Sequence, residues 1–219
     1  QAPPTTEIIV ADQLASGRRP PTLVGRLTGW PRGGFVALLI VGLVLFIGIH
    51  VVPSSTRLRA ALAARLGERG YKILFSLVSV AGLVLAGIGY GRAPHEQIFE
   101  PSLTARTFLP AAMAIAFVLV AVANVPGRIR RLVRHPMLMG VLIWAALHLL
   151  ANGDLASNVM FGAFALWAVF AILSEEYRAR RLGSGQGSWK FDLGGAVAGL
   201  LVFWLVFRFH ANLFGVPPI

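Results

Sequence analysis

The sequence predicts an all-α, polytopic membrane helical bundle with about six transmembrane helices and an N-terminal extended tail. Hydrophobic residues make up 56% of the 219 residues and charged residues only 13%, a balance typical of integral membrane proteins. The apolar residues also gather into runs of about 20, the length at which a helix crosses the hydrocarbon core of a bilayer.

The chain divides by composition into a proline- and arginine-rich tail, residues 1–33, and a transmembrane domain, residues 34–219. The prolines favour an extended path for the tail, interrupted by one short amphipathic helix at about 6–15. The tail has too few apolar residues to form a core by itself. It therefore lies either on its own bundle and the lipid interface, or on a larger membrane protein complex in which this chain is an accessory subunit.

Six apolar spans follow the tail, at about 34–52, 73–91, 107–125, 136–151, 155–174 and 194–214. Small residues at helical spacing indicate faces where helices pack closely, as at Gly82 and Gly89 in the second span and Gly195 and Gly199 in the sixth. Residues 57–70 alternate leucine and arginine as an amphipathic surface helix does, and Gly67 or Gly70 would end that helix.

The basic residues predict the orientation of the bundle and its charged partner. Thirteen of the 20 lie in the connections after the first, third and fifth spans, which places those connections in the cytoplasm and both termini outside it. Because the arginines stand between apolar runs, the net charge of +11 favours contact with anionic membrane lipids and not with nucleic acid.

Few side chains in the sequence can carry chemistry. The absence of cysteine excludes disulfides, thiolate ligands and thiol catalysis. Polar residues inside a bilayer are costly, and a neutral imidazole on a membrane helix is a normal haem ligand. His50 and His148 are therefore the candidate haem or metal ligands. His135 and His210 are predicted to bond at helix ends, although depth along the helices would pair His50 with His135 and His148 with His210.

Acidic residues stand in two of the predicted connections, one after the second span and one after the fourth. Asp154 should cap the fifth helix or close the Asn152-Gly153-Asp154 turn. His95, Glu96 and Glu100 share a loop, where a loosely spaced metal site and an ordinary exposed loop are both compatible with the pattern.

An ordered set of short motifs closely resembles the NnrU family over about 34–219. The motifs are Gly48-x-His50-x-x-Pro53, Leu66-Gly67-Glu68-Arg69, Ser76-Leu77-Val78-Ser79, Pro126-Gly127-Arg128, Arg134-His135-Pro136-Met137, His148-Leu149-Leu150-Ala151-Asn152-Gly153-Asp154 and Phe209-His210-Ala211-Asn212. NnrU proteins are bacterial membrane proteins associated with denitrification and nitric oxide metabolism.

The NnrU family is similar to 15-cis-zeta-carotene isomerase of plants and algae. The NnrU resemblance implies a multi-pass protein of the bacterial inner (cytoplasmic) membrane. The likeness to the isomerase implies a b-type haem held by histidines, and His50 and His148 match its proposed ligand positions. It also implies a haem-dependent cis–trans isomerase. That enzyme has a cysteine three residues before the second histidine, where this chain has Ala145.

A second resemblance covers about forty residues. Arg134-His135-Pro136, Gly140 and Glu175-Glu176-Tyr177 resemble the C-terminal signature of isoprenylcysteine-type membrane methyltransferases, which implies binding of S-adenosylmethionine. The two resemblances and the accessory-subunit hypothesis remain alternatives, since the sequence names neither a substrate nor a partner.

Overall fold

A computed structural model describes residues 32–177 and 187–214 of the chain. Nearly all of the predicted tail, residues 1–33, lies outside the described residues, so its extended path and its partner complex stay predictions. The helices, in chain order, are α1 (Arg32–Val51), α2 (Thr56–Arg92), α3 (Leu103–Val122), α4 (Ile129–Leu132), α5 (Pro136–Asn152), α6 (Leu155–Tyr177), α7 (Trp189–Arg208) and α8 (His210–Phe214), with a 3₁₀ turn at Val52–Ser54.

The predicted all-α membrane bundle is confirmed. α1, α2, α3, α6 and α7 are long and apolar enough to cross a membrane, and α5 is a shorter apolar helix of 17 residues. Two helices begin earlier than hydropathy predicted, because polar residues cap their first turns. Ser102 accepts from the Ala105 N–H at 3.2 Å at the start of α3, and Ser188 accepts from the Lys190 N–H at 3.3 Å at the start of α7.

The predicted amphipathic helix and the second span form one element, α2, with a break at Gly67. Gly67 has φ 72° and ψ 159°, a backbone conformation that side chains with a Cβ rarely adopt, so the surface helix ends there as predicted. Across the break, Arg59 pairs with Glu68 at 3.0 Å and lies over the Tyr71 ring. The two parts of α2 are thereby held in one geometry.

Close helix packing at the predicted glycine faces is also confirmed. On α2, a Cβ added to Gly82 would lie 2.6 Å from the backbone nitrogen of Phe46 on α1. On α7, a Cβ added to Gly199 would lie 2.8 Å from the carbonyl oxygen of Phe117 on α3. In both places backbone meets backbone, which gives the van der Waals contact that holds helices together in lipid.

A buried carboxylate anchors the connection that contains α4. Asp192, in the first turn of α7, is 2% exposed and accepts from the backbone N–H groups of Arg128 at 2.7 Å and Ile129 at 3.1 Å. Gly127 leaves no room for a side chain beside that carboxylate. The sequence did not predict this contact, which fixes the basic connection against α7.

The connection 93–102 covers the end of α5. The last carbonyls of a helix lack partners within it. Here Leu150 O accepts from the Ser102 N–H at 2.9 Å, Ala151 O from the Arg106 Nε–H at 2.9 Å, and Gly153 O from the Ile98 N–H at 2.9 Å. Gly153 has φ 73°, the left-handed conformation that ends many helices. These bonds fix the connection beside the start of α6.

The predicted orientation can be tested by labelling single cysteines at two exposed positions, Arg65 and Glu100. The positive-inside rule places Arg65 in the cytoplasm and Glu100 on the opposite side. We expect a membrane-impermeant thiol reagent, applied from the side opposite the cytoplasm, to label Glu100→Cys and to spare Arg65→Cys. Labelling of both positions from the same side would contradict the topology.

Candidate functional site

His50 lies near the end of α1 with one ring nitrogen already bonded. Its Nδ1 is 2.7 Å from the carbonyl oxygen of Phe46, one turn earlier. Because a carbonyl only accepts, Nδ1 carries the proton and Nε2 keeps the lone pair that binds metals. The ring stacks on Phe46 at 4.1 Å and contacts Phe75 and Trp167 at 4.9 and 5.5 Å between ring centres.

His148 repeats that arrangement on α5. Its Nδ1 donates to the carbonyl oxygen of Trp144 at 2.9 Å, so its Nε2 also keeps the lone pair. The half-buried ring stacks on Phe161 of α6 at 4.8 Å and meets Trp144 at 5.8 Å. A histidine that ligates a metal almost always donates its other N–H in this way, which fixes the ring and its tautomer.

Aromatic side chains fill the space between the two histidines. Phe46, which stacks on His50, meets Phe164 at 5.4 Å, and Phe164 meets Trp144, the neighbour of His148, at 5.2 Å. The structure therefore does not bring His50 and His148 into contact. A single iron bound by both would require Phe164 and Trp144 to move.

The contacts that the two histidines make with α6 also show that they lie at different depths along the helices. His148 packs on Phe161 and His50 packs on Trp167, six residues further along that helix. At 1.5 Å per residue this places them at depths that differ by about 9 Å.

His210 lies just after the end of α7. It begins α8, where its ring meets Phe214 at 4.8 Å. Phe203 of α7 and Ile143, Trp144 and Leu147 of α5 all pack against one buried cluster, formed by Ala105, Leu109, Met113 and Ala151. The pairing of His148 with His210 that helix depth indicated stays a prediction.

His135 has a different environment. Its Nε2 is 3.0 Å from Oε1 of Glu176, and Arg134 Nη1 is 2.8 Å from the other oxygen of the same carboxylate. These contacts tie the start of α5 to the end of α6, so His135 has the helix-end role predicted for it. They also bring together Arg134, His135 and Glu176, three residues of the methyltransferase-like pattern.

A polar network that the sequence did not predict surrounds Asp154. Its Oδ1 accepts from the Ser157 N–H at 2.9 Å, which caps α6 as expected, and also from His95 Nδ1 at 2.8 Å. Its Oδ2 accepts from the Ser157 hydroxyl at 2.6 Å, and that hydroxyl is 3.0 Å from the phenol of Tyr90. Burial alone would raise the pKa of Asp154, but the bonds from Ser157 and His95 outweigh it and hold the pKa below its usual range.

The predicted metal alternative in the connection 93–102 finds no support. Among residues 32–177 and 187–214, no three histidine or acidic side chains stand close enough to hold a metal ion. His95 instead uses its Nδ1 to bind Asp154.

The family model described as NnrU protein matches residues 38–218. This chain belongs to the NnrU family. No curated protein and no solved structure matches it. The matched range contains all four histidines proposed as ligands, together with Asp154, so the residues of the site belong to the family domain and not to the N-terminal tail.

In this NnrU protein, the segment from His148 to Asp154 combines two functions. His148 faces the aromatic residues inside the bundle, whereas Asn152 and Gly153 supply carbonyl acceptors to the connection 93–102. The sequence predicted the cap at Asp154, because an aspartate directly before an apolar helix is a favoured N-cap. Tyr90 gave no such signal, since it lies 67 residues from Ser157.

Proposed function

We propose that this NnrU protein binds a b-type haem in the bacterial inner membrane, with His148 as an axial ligand. The observation that carries the proposal is the bond from His148 Nδ1 to the Trp144 carbonyl, which leaves a fixed Nε2 lone pair on a half-buried imidazole within a membrane helix. The haem is of b-type because the chain has no cysteine for covalent attachment.

We propose His210 as the second ligand, because its depth along the helices pairs it with His148. Phe164 and Trp144 lie between His148 and Phe46, the aromatic neighbour of His50. His50, which the family resemblance implies, has the same tautomer and stays the alternative ligand. The residues present fit a haem in chemistry, since they offer neutral imidazoles within an aromatic and apolar surrounding.

A bound haem would supply one-electron redox chemistry. Ala145 stands at the position where zeta-carotene isomerase has a cysteine. It is fully buried, and its methyl side chain has no atom that can ligate iron. A ligand exchange through a thiolate is therefore closed to this chain. We accordingly propose a redox role in nitric oxide metabolism or denitrification in preference to carotenoid isomerisation.

We expect the purified protein, supplemented with haem during expression, to show a Soret band that His148→Ala abolishes. His210→Ala should keep the haem on His148, whose ring is fixed by its bond to the Trp144 carbonyl, and convert a six-coordinate spectrum to a five-coordinate one. His135→Gln is the matched control and should leave the spectrum unchanged. A folded wild-type protein that shows no Soret band after supplementation would contradict the proposal, and loss of the band in His50→Ala alone would move the ligand to His50.

One observation favours a second candidate function. Arg134, His135 and Glu176 meet at one end of the bundle, as a methyltransferase of the isoprenylcysteine type would require. Their ion pairs are equally compatible with a structural clamp, in which they only hold the start of α5 against the end of α6. Calorimetric titration with S-adenosylmethionine separates the two, because a methyltransferase binds it and loses binding on Glu176→Gln, whereas a clamp gives no heat of binding.

A further inference from the structure

Residues 123–135, the connection between α3 and α5, contain four arginines and no acidic residue. The start of α7 lies beside this connection, since the Ser188 N–H donates to the Pro126 carbonyl at 3.3 Å. Both α3, which ends just before the connection, and α7 are long and apolar enough to cross a membrane. The connection therefore lies where membrane spans end, at the level of the lipid headgroups.

Three contacts hold Arg128 in place within this connection. Its backbone N–H donates to the Asp192 carboxylate at 2.7 Å, its Nε–H donates to the Gly187 carbonyl at 3.1 Å, and its guanidinium carbon lies 5.3 Å from the centre of the Trp189 ring. A guanidinium has five N–H donors, so the bond from Nε leaves the four Nη–H donors for an anion. An exposed arginine is thus fixed beside a tryptophan, the residue that is enriched at membrane interfaces.

Arg131 and Leu132 share one face of α4 with Arg128. Their backbone N–H groups both donate to the Arg128 carbonyl, at 2.9 and 3.3 Å, and residues three and four positions apart on a helix lie on the same side. Arg131 is exposed, as is Arg128, while Leu132 is 74% exposed and Trp189 is 52% exposed. Two arginines and two large apolar side chains therefore form one surface, which we call the arginine–tryptophan surface.

An anionic phospholipid matches both the charged and the apolar part of this surface. Guanidinium groups bind a phosphate through paired, charge-assisted N–H bonds, and leucine and tryptophan at the interface pack against the glycerol and the first acyl carbons. A soluble phosphate would use the arginines alone, and a lipid without net charge would leave the arginines without an anion. Both oxygens of Asp192 accept from backbone N–H groups, so this carboxylate positions the connection and does not replace the phosphate.

We propose that the arginine–tryptophan surface binds one anionic phospholipid, with the phosphate on the two arginines and the acyl chains against Leu132 and Trp189. The site is more specific than the attraction between a basic protein and an anionic membrane, because Asp192 holds the arginines in one position. Gly127 is part of that framework, since a Cβ added there would collide with the Asp192 carboxylate. The lipid site does not depend on haem binding.

The test titrates the full chain, in a non-ionic detergent, with phosphatidylglycerol and counts bound lipids by native mass spectrometry. We expect the first phosphatidylglycerol to bind more tightly than phosphatidylcholine with the same acyl chains. Arg128→Gln should weaken that binding about tenfold, the usual effect of losing a hydrogen bond to a charged group. Arg130→Gln is the matched control and should leave binding nearly unchanged, because Arg130 is also exposed but lies two residues from Arg128, on the opposite side of α4.

Asp192→Asn distinguishes a built site from attraction by net charge. The substitution removes one negative charge, so attraction by charge alone would strengthen the binding of phosphatidylglycerol. We expect weaker binding, because the amide NH₂ group opposes one of the two backbone N–H groups that the carboxylate accepts, and the connection loses its position.

Leu132→Ser should also weaken phosphatidylglycerol binding, although it changes no charge. If Asp192→Asn does not fold, the exposed positions Arg128 and Leu132 provide the test by themselves. Equal weakening by Arg128→Gln and Arg130→Gln, or equal binding of the two lipids, would overturn the proposal. Displacement of the lipid by soluble glycerol phosphate or by an acidic peptide at the same concentration would also overturn it, because the arginines would then serve a soluble partner.

Discussion

Replacing Gly82 with alanine is expected to lower the free energy of unfolding by about 1–3 kcal/mol, the usual cost of overpacking a tight core. The added Cβ would stand 2.6 Å from the Phe46 nitrogen and 2.9 Å from the Gly42 carbonyl oxygen, both of them backbone atoms of α1 that cannot rotate away. α1 and α2 would have to separate, which would loosen the packing of the fully buried Leu39 and Ala86 near this contact.

Gly87 on the same helix is the matched control. It has no atom within 4 Å of an added Cβ, and alanine favours helix over glycine by about 0.5–1 kcal/mol. Gly87→Ala should therefore leave stability unchanged or raise it, opposite in sign to Gly82→Ala. Unfolding by heat or by a denaturing detergent, followed by circular dichroism, measures both. Equal effects of the two substitutions would show that the contact between α1 and α2 does not limit stability.

The fold could be predicted from the sequence because its main signal is local. A bilayer requires about 20 apolar residues for each span, and the runs that meet this length are visible without any tertiary information. The glycines of the packing faces were also visible, since they recur at helical spacing. The ends of the helices were less visible in the sequence. Asp192 looks like a loop residue by composition, yet it lies buried in the first turn of α7 because distant backbone N–H groups bind it.

The candidate ligands could be predicted for a different reason, the scarcity of other chemical groups. Once cysteine was excluded, His50 and His148 remained as the candidate ligands inside the predicted spans, and the helix geometry accounts for the bond that each makes to the carbonyl four residues earlier. Their separation could not be predicted. It depends on how Phe164 and Trp144 fill the space between α1, α5 and α6, which only tertiary packing decides.

The residues of the polar network around Asp154 could not be predicted from the sequence as a group. His95 and Asp154 are 59 residues apart, and Tyr90 and Ser157 are 67 residues apart. No spacing rule connects such positions. The sequence showed only the local cap at Asp154, and it associated His95 with Glu96 and Glu100, its neighbours along the chain, instead of with its partner in space.

Asp154→Ala is expected to destabilise the protein at neutral pH more than the loss of a single helix cap would. The cap itself contributes about 0.5–2 kcal/mol. The fully buried Ser157 hydroxyl also loses its acceptor, at a cost of about 1–3 kcal/mol, and the connection 93–102 loses the bond from His95. Thermal unfolding in detergent should therefore show a lower midpoint for Asp154→Ala than for Asp154→Asn, which keeps an acceptor oxygen at the cap.

The pH dependence of stability separates the charge of Asp154 from its role as a cap. Its folded pKa lies below the ordinary value of 3.8, so the carboxylate stabilises the folded state fully above about pH 4 and loses that contribution as the pH falls through the folded pKa. The difference in unfolding midpoint between wild type and Asp154→Asn should shrink in that acidic range. Glu96→Gln, which changes an exposed carboxylate nearby, should keep the wild-type profile. A difference that stays constant down to the most acidic pH measured would mean that the carboxylate charge does not contribute, and that Asp154 acts only through the geometry of its hydrogen bonds.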